Sequence, residues 1–385
     1  MEEVCEEVRR RVLAGLDLSL DLSDEEIEEA IGRAVSELAR ERTLSIRDRA
    51  LIEQRVFNSL RKFDVLQELI DDPEISEIMV NGPSKIFYER EGVIYRYPNH
   101  FSSEEKLQDV IQNICYRYNR NVNLSTPIVD TRLPNGSRVN IVLSPISLDG
   151  SVISIRKFPE HPFRMEELIR RGTITEEAAG FLEELVRQRY SIFVSGGTSS
   201  GKTTFLNALS QYIPAEERIV TIEDSAELQL QGIENLIRLE TRNASREGTE
   251  AITIRDLIRT ALRMRPDRII VGECRGPEAI DMISAMTTGH DGSLSTGHGN
   301  STRDILGRIE TMILMGMDLP LVAVRKQIAA GIDILIHLGR MKDNTRRVLE
   351  ISQILGMEGD EIRISPIYLR QGEELVRVGK LEAKE

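Results

Sequence analysis

Apolar residues recur at helical spacing through the first sixty positions. Val4, Val8 and Val12 repeat every four residues, the spacing of one helix face. Ser23-Asp24-Glu25-Glu26 reads as a capping box, with Ser23 as N-cap and Glu26 three residues on. It precedes an apolar face at Ile27, Ala30, Ile31, Ala34 and Leu38. A third helix is expected from about 45 to 61. Residues 1–62 therefore predict a charged helical adaptor without chemistry of its own.

The pattern shortens over 63–158. A short helix at 63–70 is stopped by Asp72-Pro73, and a strand over 75–80 ends at Asn81-Gly82. Strands over 85–89 and 93–97 form a hairpin around Arg90-Glu91-Gly92. Ser103 caps a helix reaching about 118, and 139–143 and 152–156 alternate as strands. This stretch predicts a compact α/β domain with mixed strand order. Residues 127–140 form a polar cluster in which Pro134-Asn135-Gly136-Ser137 makes a hairpin turn flanked by Arg132 and Arg138. Arg156 and Lys157 add cations near the domain's end. These arginines read either as surface ion pairs or as a phosphate-facing set, since the guanidinium fork matches phosphate oxygens.

A break at 159–163 marks a linker, assigned to 159–174, and helices follow at 165–171 and 175–189. Beyond it the apolar runs become continuous, at 191–194, 218–222 and 268–271, as in strands buried on both faces. Further strands are expected at 237–242, 293–296, 332–337, 347–354 and 362–369, and helices at 254–263, 304–315 and 319–330. Residues 243–249 read as a polar loop, and Met341-Lys342-Asp343-Asn344 as a turn. The charged tail from Gly372 has no evident role.

The run at 191–194 leads into Ser195-Gly196-Gly197-Thr198-Ser199-Ser200-Gly201-Lys202-Thr203-Thr204, ahead of an apolar helical start. This is a G-x-x-x-x-G-K-T phosphate-binding loop between strand and helix. Gly196 and Gly201 permit the tight turn. Backbone N–H groups and the helix N-terminus face the phosphates, Lys202 reaches the β- and γ-phosphates, and Thr203 joins a Mg²⁺ shell. The chain is thus expected to bind ATP with Mg²⁺. In open α/β sheets, ligands sit beyond the carboxyl ends of strands. Glu223, closing the 218–222 run, is the expected metal support. Gly272-Glu273 closes the 268–271 run and puts Glu273 forward as the base that orients water. His290 and His298 lie in a glycine- and hydroxyl-rich segment at 288–300, where a histidine can sense the γ-phosphate.

Composition narrows the partners. A net charge of -13, 4% aromatic residues and no Trp leave little for global nucleic-acid attraction or base stacking. Three well-separated cysteines argue against a disulfide framework or a four-cysteine zinc site and fit a reducing cytosol. The acidic opening is unlike a signal peptide, and no apolar run is long enough for a membrane span.

From about Phe63 to Leu369 the chain resembles the type II/type IV secretion ATPases, and within them the CpaF-like ATPases of tight-adherence (Tad) pilus assembly. The resemblance rests on Ile78-Met79-Val80-Asn81-Gly82, the 127–140 cluster with 154–158, and the phosphate loop. It rests also on Thr221-Ile222-Glu223-Asp224 with Glu227-Leu228, the 262–276 run through Arg265-Pro266-Asp267 and Gly272-Glu273-Cys274-Arg275-Gly276, and the histidine box at 288–300. It implies an α/β fold: a RecA-like ATPase domain over 175–385, preceded by a PAS-like α/β domain over 63–158. It implies a ring-shaped homohexamer that hydrolyses ATP and works on an inner-membrane platform from the cytoplasm. It also implies that nucleotide lies between the two domains. By the same resemblance Glu273 is the Walker B glutamate, and 221–227 is the aspartate box. His298 stands near the γ-phosphate, and Arg132, Arg138 and Arg156 reach nucleotide. Arg238, Arg242 and Arg263 are weaker finger candidates. Two departures stand out. Gly297 and Gly299 flank His298 where the family carries larger residues, predicting a more flexible loop. The tetracysteine insertion of the type II branch is missing, which favours the Tad-like or archaeal-type branch. The competing readings are a conjugation or DNA-uptake ATPase, a RecA-type nucleic-acid motor and a non-hydrolysing ATP switch.

Overall fold

The computed structural model describes residues 1–16, 22–117, 121–158, 162–242 and 250–383. The polar loop read at 243–249 and the first three residues of the linker lie outside them. The chain divides into two units, Met1–Glu160 and His161–Glu385.

The first unit opens with three helices, α1 (Glu2–Gly15), α2 (Asp24–Glu41) and α3 (Ile46–Arg61). They close on a small core of Val8, Val12, Ile31, Val35, Leu38, Ile52 and Val56. The Ser23–Glu26 capping box forms as expected, and a second one, Ser45–Asp48, opens α3. Each satisfies N–H groups that a helix start leaves without partners. A 3₁₀ turn and α4 (Gln67–Asp71) lead to β1 (Ile75–Asn81), β2 (Ile86–Arg90) and β3 (Val93–Arg96). Then come α5 (Glu104–Tyr116), β4 (Ile128–Arg132), β5 (Arg138–Val142) and β6 (Val152–Arg156). The sheet order is β3-β2-β1-β6-β5-β4, and every neighbouring pair is antiparallel. Ile78, Val139 and Ile155 share a cross-strand row on the face covered by Leu107, Ile111 and Ile114 of α5. Each such side chain contributes about 1.5–3 kcal/mol by leaving water.

The second unit contains α6 (Met165–Arg170), α7 (Glu176–Arg187), β7 (Ile192–Gly196), α8 (Lys202–Ser210), β8 (Ile219–Glu223) and β9 (Leu236–Glu240). There follow α9 (Ile254–Ala261), β10 (Arg268–Cys274), α10 (Ala279–Thr287), β11 (Leu294–His298), α11 (Thr302–Gly316) and α12 (Leu321–Gly331). The chain ends with β12 (Ile334–Arg340), β13 (Arg346–Glu358), β14 (Glu361–Gln371) and β15 (Glu374–Arg377). The sheet order is β15-β14-β13-β12-β7-β11-β10-β8-β9. From β12 to β9 all neighbours are parallel; β12 to β15 continue antiparallel.

Helices cover both faces. Leu182, Leu185, Phe205 and Leu209 of α7 and α8 pack with Ile192 and Val194. Ile258, Ile283, Ile309 and Ile328 of α9 to α12 pack with Phe193, Val220 and Ile222. Strands covered on both sides carry apolar residues without alternation, which explains the continuous runs. Met165 and Leu168 of α6 are buried in the first of these cores, so this part of the 159–174 stretch is packed chain rather than free tether. Arg268, fully buried where β10 begins, is bound by Glu217 at 2.6 and 2.9 Å and donates to the carbonyls of Val186 and Gly292. At the other end of the parallel strands, β7, β8, β10 and β11 close beside one another and form the floor of the site.

Candidate functional site

β7 ends at Gly196 and α8 begins at Lys202, with the glycine-rich loop between them. Gly201 takes φ 92° and Ser199 φ 58°, the left-handed conformations that turn the chain into α8. Gly196 has no room for a side chain: a Cβ there would meet Ser200 Oγ and stand 2.7 Å from the Leu338 carbonyl. Gly197, Thr198 and Ser199 are exposed at the loop crest, and Thr203 and Thr204 are half-buried in the first turn of α8. The N–H groups of that turn have no intrahelical acceptor. Lys202 is buried, its Nζ donating to the Gly196 and Gly197 carbonyls at 3.3 and 3.1 Å. The ammonium is therefore held at the concave side of the loop.

Glu273 faces the loop from the end of β10, with Oε1 3.8 Å from Lys202 Nζ. His298, the last residue of β11, puts Nδ1 2.5 Å from the same Oε1. The contact is close, although Oε1 accepts no hydrogen bond of regular geometry. His298 Nε2 lies 3.4 Å from Thr198 Oγ1, so the imidazole bridges loop and carboxylate. Burial lowers the His298 pKa below its usual 6.5, with nearby Glu273 opposing that shift. The ring is therefore neutral at pH 7. Glu273 Oε2 accepts from Arg275 Nε at 2.7 Å, and Arg275 also stands 3.7 Å from Asp224. A carboxylate fixed in this way, with Oε1 short of a regular hydrogen bond, can orient and deprotonate a water.

Glu223 ends β8 and is 3% exposed. Its Oε2 accepts from the N–H groups of Glu227 and Leu228 at 2.8 and 2.9 Å, while Oε1 is buried without a partner. Burial pushes its pKa up to about 7 against the pull of those two N–H donors. Gly272 makes room for it, since a Cβ there would stand 2.9 Å from Glu223 Cγ.

The glycines beside His298 have a different cause from the one expected. They do not form a loose loop. Gly297 is in β11, paired with Ser195, and His298 is paired with Gly196. A Cβ on Gly297 would lie 2.9 Å from the Phe193 ring, and one on Gly299 3.0 Å from Ile305 Cβ. They are small because the strand lies tightly against its neighbours, and His298 is held by the sheet.

The second unit thus brings together the loop residues, Glu223, Glu273 and His298. His290 lies outside this group; its backbone carbonyl accepts from Ser293 Oγ at 2.7 Å. Arg238, on β9, is exposed, and its Nη2 donates to the Leu228 carbonyl at 3.1 Å, bracing the segment after β8. In the first unit, Arg132 pairs in register with Arg138, and Arg138 with Arg156. The three form one cross-strand row of cations on the sheet face opposite the core. Arg138 has Asp130 at 3.6 Å and Arg156 has Glu77 at 4.0 Å, both loose surface contacts. Sequence reasoning named Asp224 only as part of the 221–227 aspartate box and gave Arg275 no role of its own. The only signal was position: Arg275 lies two residues past Glu273, and Asp224 directly follows Glu223.

The residues present fit a polyphosphate and a hard divalent cation. Ser200 Oγ, Thr221 Oγ1, Glu223 Oε1 and Glu273 Oε1 are buried without partners. Such orphaned oxygens suit an ion and its water shell, and the lysine and helix start suit phosphate.

Known proteins are similar to this chain over most of its length. A family model described as "Type II/IV secretion system protein" matches residues 59–361. A putative conjugal transfer protein of Mycobacterium tuberculosis is 32% identical over 301 residues, covering 77% of this chain and 85% of that protein. The type IV secretion system protein VirB11 of Brucella suis is 32% identical over 304 residues, 71% of this chain and 83% of that one. Among solved structures, the Legionella pneumophila ATPase DotB matches with a TM-score of 0.56 at 23% identity, over 74% of this chain and 78% of that chain. The pilus retraction motor PilT with bound ADP matches with a TM-score of 0.53 at 20% identity, over 83% of each chain. At these identities the two structures speak for the fold alone.

Proposed function

The chain belongs to the type II/IV secretion system protein family, and from that premise we propose that it is an ATP-hydrolysing motor of a pilus-assembly or secretion machine. One observation carries the reading. The glycine-rich loop faces a carboxylate, Glu273, that is positioned by His298 and Arg275 and has one oxygen, Oε1, that accepts no regular hydrogen bond.

In this reading Gly196, Gly197, Thr198, Ser199, Ser200 and Gly201 wrap the β- and γ-phosphates of ATP, with Lys202 and the start of α8 countering their charge. Thr203 and Glu223 would hold Mg²⁺, which supplies charge neutralisation on the phosphates when bound. Glu273 orients the attacking water and takes up its proton. Neutral His298 keeps Glu273 and Thr198 in register and stands by the γ-phosphate. Arg132, Arg138 and Arg156 form a cation row of the kind that binds phosphate oxygens, and Arg238 is a further, weaker nucleotide-facing candidate.

The finer assignment follows the same resemblance: a RecA-like second unit, a PAS-like α/β part in the first, and a homohexameric ring. The ring would act from the cytoplasm on an inner-membrane platform. No helix among the described residues is long and apolar enough to cross a membrane, and attachment through partner proteins is part of the same reading. The 262–276 run and the absence of a tetracysteine insertion favour the CpaF-like branch of Tad pilus assembly. The mycobacterial conjugal transfer relative and VirB11 favour a second reading, a type IV secretion or conjugation motor.

Mass measurement of the full chain with a non-hydrolysable ATP analogue and Mg²⁺ tests the assembly, with Lys202→Ala as control. A six-copy species in the native chain, and loss of nucleotide binding in the variant, are expected. A chain that stays monomeric with nucleotide bound contradicts the ring.

A further inference from the structure

His337, 7% exposed on β12, joins two segments that carry the site. It pairs in register with Ser195, the residue before Gly196, and its Nδ1 is 2.9 Å from the Ser195 hydroxyl. The ring also meets the backbone carbonyl of Asn300, two residues past His298. On β13, Glu350 stands opposite His337 and accepts from Thr302 Oγ1 at 2.7 Å and Ser352 Oγ at 2.5 Å. A short polar chain therefore runs from the base of the glycine-rich loop, through β12 and β13, to the start of α11.

Packing does not explain a histidine here. Its neighbours along the strand, Leu335, Ile336 and Leu338, are all buried and apolar. Removing an imidazole from water costs free energy unless both ring nitrogens find partners. Nδ1 meets the Ser195 hydroxyl, which also lies 3.3 Å from the Ile336 carbonyl, and the Asn300 carbonyl stands beside the ring. Burial, which lowers its pKa, favours the neutral form. The two partners lie on either side of the contact between Thr198 and His298.

We propose that His337 is a positioning residue for ATP turnover, tying Ser195 and Gly196 to the segment after His298 and so setting the spacing between the glycine-rich loop and the His298–Glu273 pair. The inference rests on the ATPase reading above. Without the tie, β7 and β11 keep their ladder and the Gly299 N–H keeps the Gly196 carbonyl, but the chain beyond His298 loses a side-chain anchor. Misplacement of well under an ångström is enough to slow a reaction that depends on alignment. Nucleotide affinity, carried by the loop and Lys202, is unaffected.

The test compares wild type, His337→Leu, His337→Gln and Ser195→Ala in steady-state phosphate release from ATP and Mg²⁺. Nucleotide affinity and thermal midpoint are measured alongside. His337→Leu is expected to lower kcat about 10- to 100-fold, as loss of a supporting hydrogen-bond partner does elsewhere, with KM and nucleotide Kd changed less than about 2-fold. His337→Gln keeps a donor and an acceptor and restores most of kcat. Ser195→Ala lowers kcat in the same sense, and reports on the same contact if His337→Leu does not fold. Combined with His337→Leu it adds little further loss. A His337→Leu protein with wild-type kcat overturns the proposal, as does a loss that His337→Gln does not rescue or that Ser195→Ala does not share. A wild-type chain without any turnover fails at the ATPase reading itself and takes this proposal with it.

Discussion

Nδ1 of His298 and Nη2 of Arg275 each stand 2.5 Å from an oxygen of Glu273, one on Oε1 and the other on Oε2. The carboxylate is thus set from two sides, by the end of β11 and by the turn after β10. Only Arg275 keeps its charge at every accessible pH. Protonation of His298 would turn a neutral neighbour into a cation against Oε1 and weaken Glu273 as a base. Burial places that event below pH 6.5. Turnover is therefore expected to hold from about pH 8 down to about 7 and to fall as His298 charges at lower pH. A kcat profile on wild type and His298→Asn checks this: the variant starts lower and loses the acid limb. An unchanged acid limb in the variant assigns it to another group.

Glu223 predicts a stability effect of opposite sign. Its folded pKa of about 7 lies above the 4.5 of an unperturbed glutamate. The folded state therefore holds an extra proton between those values. Its contribution is fully present below about pH 4.5 and is lost as pH rises toward 7. Glu223→Gln keeps an acceptor for the Glu227 and Leu228 N–H groups without the buried charge. In the nucleotide-free chain it should be more stable than wild type above pH 7, by on the order of 2 kcal/mol, and equal to it near pH 4.5. Urea unfolding at the two pH values measures the difference.

Arg268 predicts a purely structural loss. It is fully buried, ion-paired with Glu217, and donates to two backbone carbonyls. Arg268→Ala leaves Glu217 with only Arg189 at 3.7 Å and removes the side-chain donor to both carbonyls at the start of β10, a cost of about 3–5 kcal/mol. The effect should be read as a drop in the unfolding free energy, largely independent of nucleotide. A shift under about 1 kcal/mol would mean that water replaces the guanidinium.

Where local chemistry dictated the outcome, the fold was legible before the structure. Ser23 and Glu26 announce α2 because a capping box has few other uses. The glycine-rich loop announces the turn from β7 to α8 because Gly196 and Gly201 meet steric demands other residues cannot. What escaped was decided by tertiary surroundings. α10 carries Ile280, Met282, Ile283 and Met286 all buried, and only the narrow stripe of Asp281, Ser284 and Thr287 marks its period. β15, read as charged tail, buries Leu375 alone and forms because β14 offers it an edge. β4 was hidden in the 127–140 polar cluster, since only Val129 and Thr131 face inward. In the site, Glu223 and Glu273 were legible from strand ends, whereas the grip of Arg275 on Glu273 depends on a turn whose shape no local pattern specifies. Gly297 and Gly299 were misread as flexible because their reason, the closeness of Phe193 and Ile305, lies in other elements.

In the proposed reading Glu273 prepares water for attack on a phosphate held by the glycine-rich loop. The most direct measurement is phosphate release from ATP and Mg²⁺ by wild type and Glu273→Gln, with nucleotide affinity determined on the same samples. The wild-type chain is expected to turn over. The variant should bind nucleotide with wild-type affinity and lose about 10²- to 10⁴-fold in kcat. A Glu273→Gln protein that hydrolyses ATP at the wild-type rate would contradict the account.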